Sequence, residues 1–259
     1  MNTKQLCKEL RLPYTADNYR VLADEAAKTN QDHKDFLHQL LEGEYLQRLE
    51  NGIRRRIKEA KLPQKVDLSD FDKTVYDIGY AEKFEELETL DFVSEHRNLI
   101  LKGASGAGKT YYACTLALLA CKQGKSVFFT TLADLIIKLR ETINQNQIGS
   151  LKRRFQRYDL IILDELGYYS FGAEIAEVFF NLLSARELNG SLIITTNLDF
   201  EEWTKPLGDT KLTGSLVSRV CRRAHIIELE REIDGRMQDT IDWLAAKRKL
   251  KSGSSLSVI

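Results

Sequence analysis

One octapeptide limits what this chain can fold into more than any other stretch: Gly103-Ala104-Ser105-Gly106-Ala107-Gly108-Lys109-Thr110. It fits the spacing G-x-x-x-x-G-K-[ST]. An apolar run ending at Lys102 precedes it, and an Ala- and Leu-rich stretch of helical period follows. A loop of this kind belongs between the C-terminal end of a strand and the start of a helix. There the glycines let backbone N–H groups turn inward around phosphate, and the helix N-terminus adds its positive end. Lys109 is expected to offer a point charge to β- and γ-phosphates, and Thr110 a hydroxyl to Mg2+. The predicted ligand is ATP with Mg2+, held by Gly103, Ala104, Ser105, Gly106, Ala107, Gly108, Lys109 and Thr110.

The surrounding pattern supplies the sheet that such a loop needs. Short apolar runs at 98–101, 126–130, 160–163, 191–195 and 225–229 alternate with helical patterns at 109–123, 132–146, 174–189 and 213–222. Alternation of this sort predicts an α/β fold with a five-stranded parallel sheet. Ahead of it, Leu6, Leu10, Val21, Leu22, Ala26, Phe36, Leu37, Leu40, Leu41, Tyr45 and Leu49 recur at helical intervals, with Asp32 as N-cap of a long helix from His33. The expected organisation is a helical N-terminal domain over 1–63, a linker over 64–78, the nucleotide-binding domain over 79–251 and a Ser-rich tail over 252–259. A last helix is predicted over about 235–250.

Three further constellations point to hydrolysis. Leu160-Ile161-Ile162-Leu163 is an apolar strand that is expected to end in Asp164 and Glu165. Asp164 at a strand tip suits a metal-holding carboxylate, and Glu165 suits the polarising of an attacking water. Ile193-Ile194-Thr195-Thr196-Asn197 ends a strand in an amide that can orient that water or touch the γ-phosphate; its plainer reading is an Asn opening a turn. Past the fourth strand, Arg219 is placed to reach a neighbour's phosphates rather than its own, as an arginine finger. Arg222 and Arg223 also fit as cations near a helix C-terminus.

Composition excludes some partners. Lys plus Arg and Asp plus Glu both total 38, so bulk charge gives no reason to coat nucleic acid. Two local clusters break that balance: Arg54, Arg55, Arg56 and Lys58, and Lys152, Arg153, Arg154 and Arg157. Each reads either as a solvated helix face or as a contact to a phosphate backbone. No apolar run of membrane-spanning length occurs and the N-terminus lacks a signal peptide's apolar core, so no membrane role is expected. Cys7, Cys114, Cys121 and Cys221 lack metal-binding spacing, which fits a reducing cytoplasm, and Cys114 and Cys121 read as small core residues.

Together these residues resemble the AAA+ ATPases, and more narrowly the IstB/DnaC-like group of transposition helper ATPases and helicase loaders. The resemblance covers nearly the whole chain. It is carried by Leu6…Leu10-Arg11-Leu12, by Asp35-Phe36-Leu37…Leu40-Leu41…Glu44 and by Arg54 through Pro63. Leu68…Phe71-Asp72, Asp164-Glu165-Leu166-Gly167-Tyr168, and Thr195-Thr196-Asn197…Phe200…Trp203 followed by Ser218-Arg219-Val220 carry it further. This chain departs in reading Gly-Ala-Ser-Gly-Ala where the group has Gly-Pro-Pro-Gly-Thr. It also has Asp234-Gly235-Arg236 where the group has Ser-Tyr-Arg, so Arg236 lies one residue out of register for a sensor-2 arginine. A helix beyond Met237 exceeds the group's short ending.

The resemblance implies an ATP-dependent regulator of DNA transposition. Such a protein oligomerises on duplex DNA and recruits or stimulates a cognate transposase, with ATP bridging Lys109, Thr110 and Asp164 of one subunit and Arg219 of the next. The alternatives are a loader of a replicative helicase, a small-molecule P-loop kinase and an ATP-dependent protein scaffold.

Overall fold

Local chemistry starts and stops the helices that precede the sheet. Helix α1 (Thr3–Glu9) opens on a reciprocal capping box between Asn2 and Gln5, and α2 (Pro13–Thr29) opens on Pro13 and closes on a left-handed Asn30. Helix α3 runs His33–Ala60, with the Asp32 carboxylate accepting from Lys34 N–H at its start. The structure, a computed structural model, describes residues 1–76, 78–167, 170–187, 189–230 and Trp243. It divides into two units, Met1–Arg56 and Ile57–Ile259, and the division falls within α3.

In the first unit Leu40 and Cys7 are buried, and the buried Glu44 accepts from Thr15 N–H and Arg48 Nε, both at 3.2 Å. Gly43 lets the Tyr14 ring lie on α3, since a Cβ there would fall 2.0 Å from the ring. Leu37, Leu41, Tyr45 and Leu49 of the expected apolar stripe are exposed. Periodicity marks a helix here without marking a core.

After the last residues of α3, the second unit continues with a strap of three 3-10 turns, Leu68–Asp70, Lys73–Val75 and Ile78–Tyr80, then α4 (Ala81–Thr89) and α5 (Asp91–Ser94). The sheet and its helices follow as β1 (Leu99–Lys102), α6 (Lys109–Lys122), β2 (Val127–Thr131), α7 (Leu132–Asn144), α8 (Ile148–Gln156), β3 (Leu160–Leu166) and α9 (Ala173–Ser184). The chain continues through β4 (Ser191–Thr196), a 3-10 turn Phe200–Trp203, α10 (Thr204–Leu207), α11 (Thr210–Val220) and β5 (His225–Glu228). Strand order is β2-β3-β4-β1-β5, every pairing parallel.

Both faces of the sheet are covered, which is why its strands read as unbroken apolar runs. Alternate residues divide between two cores. Leu99, Leu101, Leu160, Ile162 and Ile193 pack with α4, α6 and the strap. Ile100, Ile161, Leu163, Leu192 and Ile194 pack with α7, α8, α9 and α11. Two differences from the sequence reading have local causes. Helix α9 stops at Ser184 instead of 189, because Arg186 turns inward and is buried. Helix α11 begins at Thr210, where the Asp209 carboxylate accepts from Leu212 N–H at 2.6 Å. Helices α4 and α8 were not anticipated. The predicted last helix apart from Trp243, the tail, Tyr168 and Arg236 lie outside the described residues.

Candidate phosphate-binding site

The phosphate loop is fixed from both sides by the elements around it. As β1 ends, Gly103 N–H donates to Thr196 C=O at 3.2 Å, tying the loop's root to β4. Gly103 has φ 148° and a Cβ there would lie 2.2 Å from the Leu229 carbonyl oxygen, so no side chain fits. Gly108 caps α6 at φ 86°, and a Cβ there would meet Tyr76 Oη at 2.6 Å. Ala107, between them in the cradle, is buried, while Ala104 and Ser105 at the tip are exposed. Lys109 Nζ donates to the carbonyls of Gly103 at 2.8 Å and Ala104 at 2.7 Å, so its ammonium lies along the loop it serves. The start of α6 thus offers a helix N-terminus, a bent backbone and a cation in one place, an arrangement suited to a polyphosphate.

Asp164 faces this loop from β3. It is 4% exposed, and its Oδ1 accepts from the hydroxyls of Thr110 at 2.8 Å and Thr195 at 2.6 Å. A carboxylate and a hydroxyl held together at the mouth of a phosphate loop form a hard-oxygen pair of the kind Mg2+ takes up with phosphates. Burial, with the Asp164 charge adding to it, pushes the Cys114 thiol behind this pair up to about 12, which leaves it a neutral packing group.

The expectation that β3 ends at the acidic pair needs correction. The strand continues to Leu166, because Leu166 pairs with Thr196, whose hydroxyl donates to the Leu166 carbonyl at 2.8 Å. Glu165 therefore sits inside a bulge, at φ 62°, with its side chain exposed.

Asn197 follows the last residue of β4 and is exposed, at the same end of the sheet as the phosphate loop. Arg219 lies elsewhere. Near the end of α11 and exposed, it stacks its guanidinium over the Phe180 ring at 5.0 Å and borders a shallow cleft with Asn98 and Leu192. These mark the starts of β1 and β4, so Arg219 is at the sheet end away from its own loop. Of the basic clusters, Arg54, Arg55 and Lys58 are exposed on α3, with Arg54 paired to Glu50, while Arg56 is half-buried. Lys152, Arg153 and Arg157 are exposed in and just after α8. Arg154 lies over Phe128 at 5.7 Å and donates to Tyr158 Oη.

Three residues that sequence reasoning missed shape the site. Tyr76 Oη donates to the Ala107 carbonyl at 2.6 Å from within a cluster of Phe71, Phe84 and Tyr112. Lys102 bridges Asp199 at 2.5 Å and Glu228 at 2.8 Å, and those hydrogen bonds hold its ammonium well above the usual lysine range. Thr195 completes the set. All three depend on partners far away in the chain, and no local motif announces them.

Comparison with known proteins bears on the family and the fold. The family model described as IstB-like ATP binding protein matches residues 5–239. The chain is similar to the putative ATP-binding protein of insertion sequence IS21 from Pseudomonas aeruginosa, at 31% identity over 88% of this chain and 86% of the relative. It is similar also to that of IS5376 from Geobacillus stearothermophilus, at 29% identity over 88% and 91%. Among solved structures, DnaI matches with a TM-score of 0.53 at 22% identity, covering 70% of this chain and 93% of DnaI. AMPPCP-bound DnaA from Aquifex aeolicus matches at 0.57 and 18%, covering 72% and 56%. At such identities these two structures speak for the fold alone.

Proposed function

The chain belongs to the family of IstB-like ATP-binding proteins, with an AAA+ P-loop fold, and on that premise we propose that it hydrolyses ATP to control its own assembly on duplex DNA, where it recruits or stimulates an insertion-sequence transposase. The observation that carries the enzymatic part is the meeting of Thr110, Asp164 and Thr195 beside the Gly103–Thr110 loop, with Glu165 turned outward next to them. In this reading the loop N–H groups and Lys109 bind the β- and γ-phosphates, and Thr110 and Asp164 would hold Mg2+. Bound there, Mg2+ would neutralise charge on the phosphates. Glu165, exposed at the rim, orients and deprotonates the attacking water, and Asn197 aligns it from just past β4.

Arg219 fits a role between subunits. It is exposed and far from its own loop, so it serves the phosphates of a neighbour, and the oligomer becomes the unit that hydrolyses. For DNA the reading rests on the two basic clusters and on the insertion-sequence names of the relatives. The exposed Lys152, Arg153 and Arg157 are the cations best able to meet a phosphate backbone, since Arg154 already engages Phe128 and Tyr158.

The test is the ATPase rate with and without long duplex DNA, at low and moderate salt, beside the Glu165→Gln variant. Stimulation by DNA that fades with salt, and that Glu165→Gln removes while DNA binding persists, supports the whole reading. A rate indifferent to DNA overturns the DNA-regulator part and leaves the ATP site standing. In that event, capture of a replicative helicase instead of a transposase would identify a loader.

A further inference from the structure

Where the acidic pair sits, β3 spends two residues against one on β4. Leu163 pairs with Ile194 and Leu166 with Thr196, so Thr195 alone stands opposite Asp164 and Glu165. A two-against-one step deprives an N–H of its ladder acceptor, and a buried N–H must find another. Here the N–H is that of Glu165, and Thr195 Oγ1 accepts it at 2.9 Å. The same hydroxyl gives its single proton to Asp164 Oδ1 at 2.6 Å. The chain of bonds therefore has a direction, from the Glu165 amide through Thr195 to the Asp164 carboxylate. Thr195 and Asp164 are both buried, where such bonds are strong and costly to leave unmade.

The bulge also sets the attitude of Glu165. Its φ of 62° is a left-handed backbone that a glutamate holds only when its surroundings compel it. On either side, Asp164 and Leu166 are buried, whereas Glu165 is exposed. The Thr195 hydroxyl is the acceptor that holds the Glu165 amide in that turn. Thr196 closes the far side, donating to the Leu166 carbonyl and accepting from Leu198 N–H at 3.0 Å.

We propose that Thr195 is a positioning residue for ATP hydrolysis, its hydroxyl holding Glu165 in the bulge and Asp164 against Thr110 at once. The inference rests on the reading that Glu165 activates the attacking water, and it deepens that reading by naming what aims the glutamate. Thr195 touches no reacting atom. It acts through the two carboxylate residues and ties the placement of both to β4.

The experiment compares Thr195→Val, which keeps the shape and loses the hydroxyl, with Thr195→Ser, which keeps the hydroxyl. Rates, ATP affinity and crystal structures are measured beside wild type and Glu165→Gln. Thr195→Val should lower kcat by about a hundredfold, the scale expected of a misplaced catalytic group. Its Kd for ATP should stay within about threefold of wild type, because binding and chemistry separate for such a residue. Thr195→Ser should recover most of the rate, and in the Thr195→Val crystal Glu165 should leave the left-handed region. The proposal is overturned if Thr195→Val turns over like wild type while Glu165→Gln is dead, or if Val and Ser are equally slow. An unmoved Glu165 backbone in the Thr195→Val crystal overturns it as well. A wild type that hydrolyses nothing sinks the ATPase reading instead, and the crystal comparison then decides on Thr195 alone.

Discussion

Arg186 is 1% exposed, and its guanidinium donates to the carbonyls of Phe155, Tyr158 and Ser191, joining the end of α8, the approach to β3 and the start of β4. Burial lowers its pKa to about 10, so it remains charged throughout the neutral range. A cation whose folded pKa is lowered is disfavoured by the fold below that value, and the penalty eases only as pH rises through about 10. Arg186→Leu strands buried carbonyls and should destabilise the protein by about 3 kcal/mol, evenly between about pH 6 and 9, as urea midpoints would record. An unchanged midpoint would mean those carbonyls find other partners. Lys109→Ala tests a different kind of residue: nucleotide affinity should fall by about a hundredfold with the melting temperature held, measured by titration calorimetry. Lys109 and Thr110 were legible from the spacing of the loop, and Asp164 from the apolar strand that leads to it. Arg186 and Thr195 were not, since an arginine after a helix and a threonine in an apolar strand look ordinary until their remote partners are known.

Among the elements, the strap of 3-10 turns matters more to the site than a linker would. Tyr76 reaches from it to the Ala107 carbonyl, and its hydroxyl fills the space that a side chain at Gly108 would need. The strap thereby braces the loop from behind, and Phe71 stacked on Tyr112 at 4.7 Å fixes it to α6. Tyr76→Phe keeps the ring and leaves a buried carbonyl without its donor, costing about 1–2 kcal/mol of stability. If that bracing sets the loop's shape, ATP affinity should drop several-fold in the same variant, whereas loss of stability alone would confine the strap to packing. Sequence periodicity located each strand to within a residue at its start, because a sheet covered on both faces needs unbroken apolar runs. It misplaced the end of β3, where two carboxylates look like the close of a strand but occupy a bulge. It passed over α4 and α8, whose nine residues each give too few turns for a period to stand out.

At the scale of the whole molecule, a zero net charge forces any hold on DNA to be local, and its salt dependence should count the cations involved. Replacing Lys152, Arg153 and Arg157 by alanine should flatten the log–log salt slope by about 1 for each phosphate no longer neutralised, whatever the DNA sequence. An unchanged slope would move the DNA surface to α3. Assembly poses the larger question, because Glu165 and Arg219 lie at opposite ends of the sheet within one chain. If Arg219 completes a neighbour's site, Glu165→Gln and Arg219→Ala subunits should each be nearly inactive alone. Mixed, they form some interfaces in which an intact Glu165 of the Arg219→Ala chain faces an intact Arg219 of the Glu165→Gln chain. In a ring or filament assembled at random from equal parts, about a quarter of the interfaces have that composition, since each subunit meets the next head to tail. Activity should therefore rise on mixing towards about a quarter of the wild-type rate, and should depend on total concentration as assembly does. Mixtures that stay as inactive as their parts would show that Arg219 acts within its own chain or not on phosphate at all, and the site would then have to be sought within one subunit.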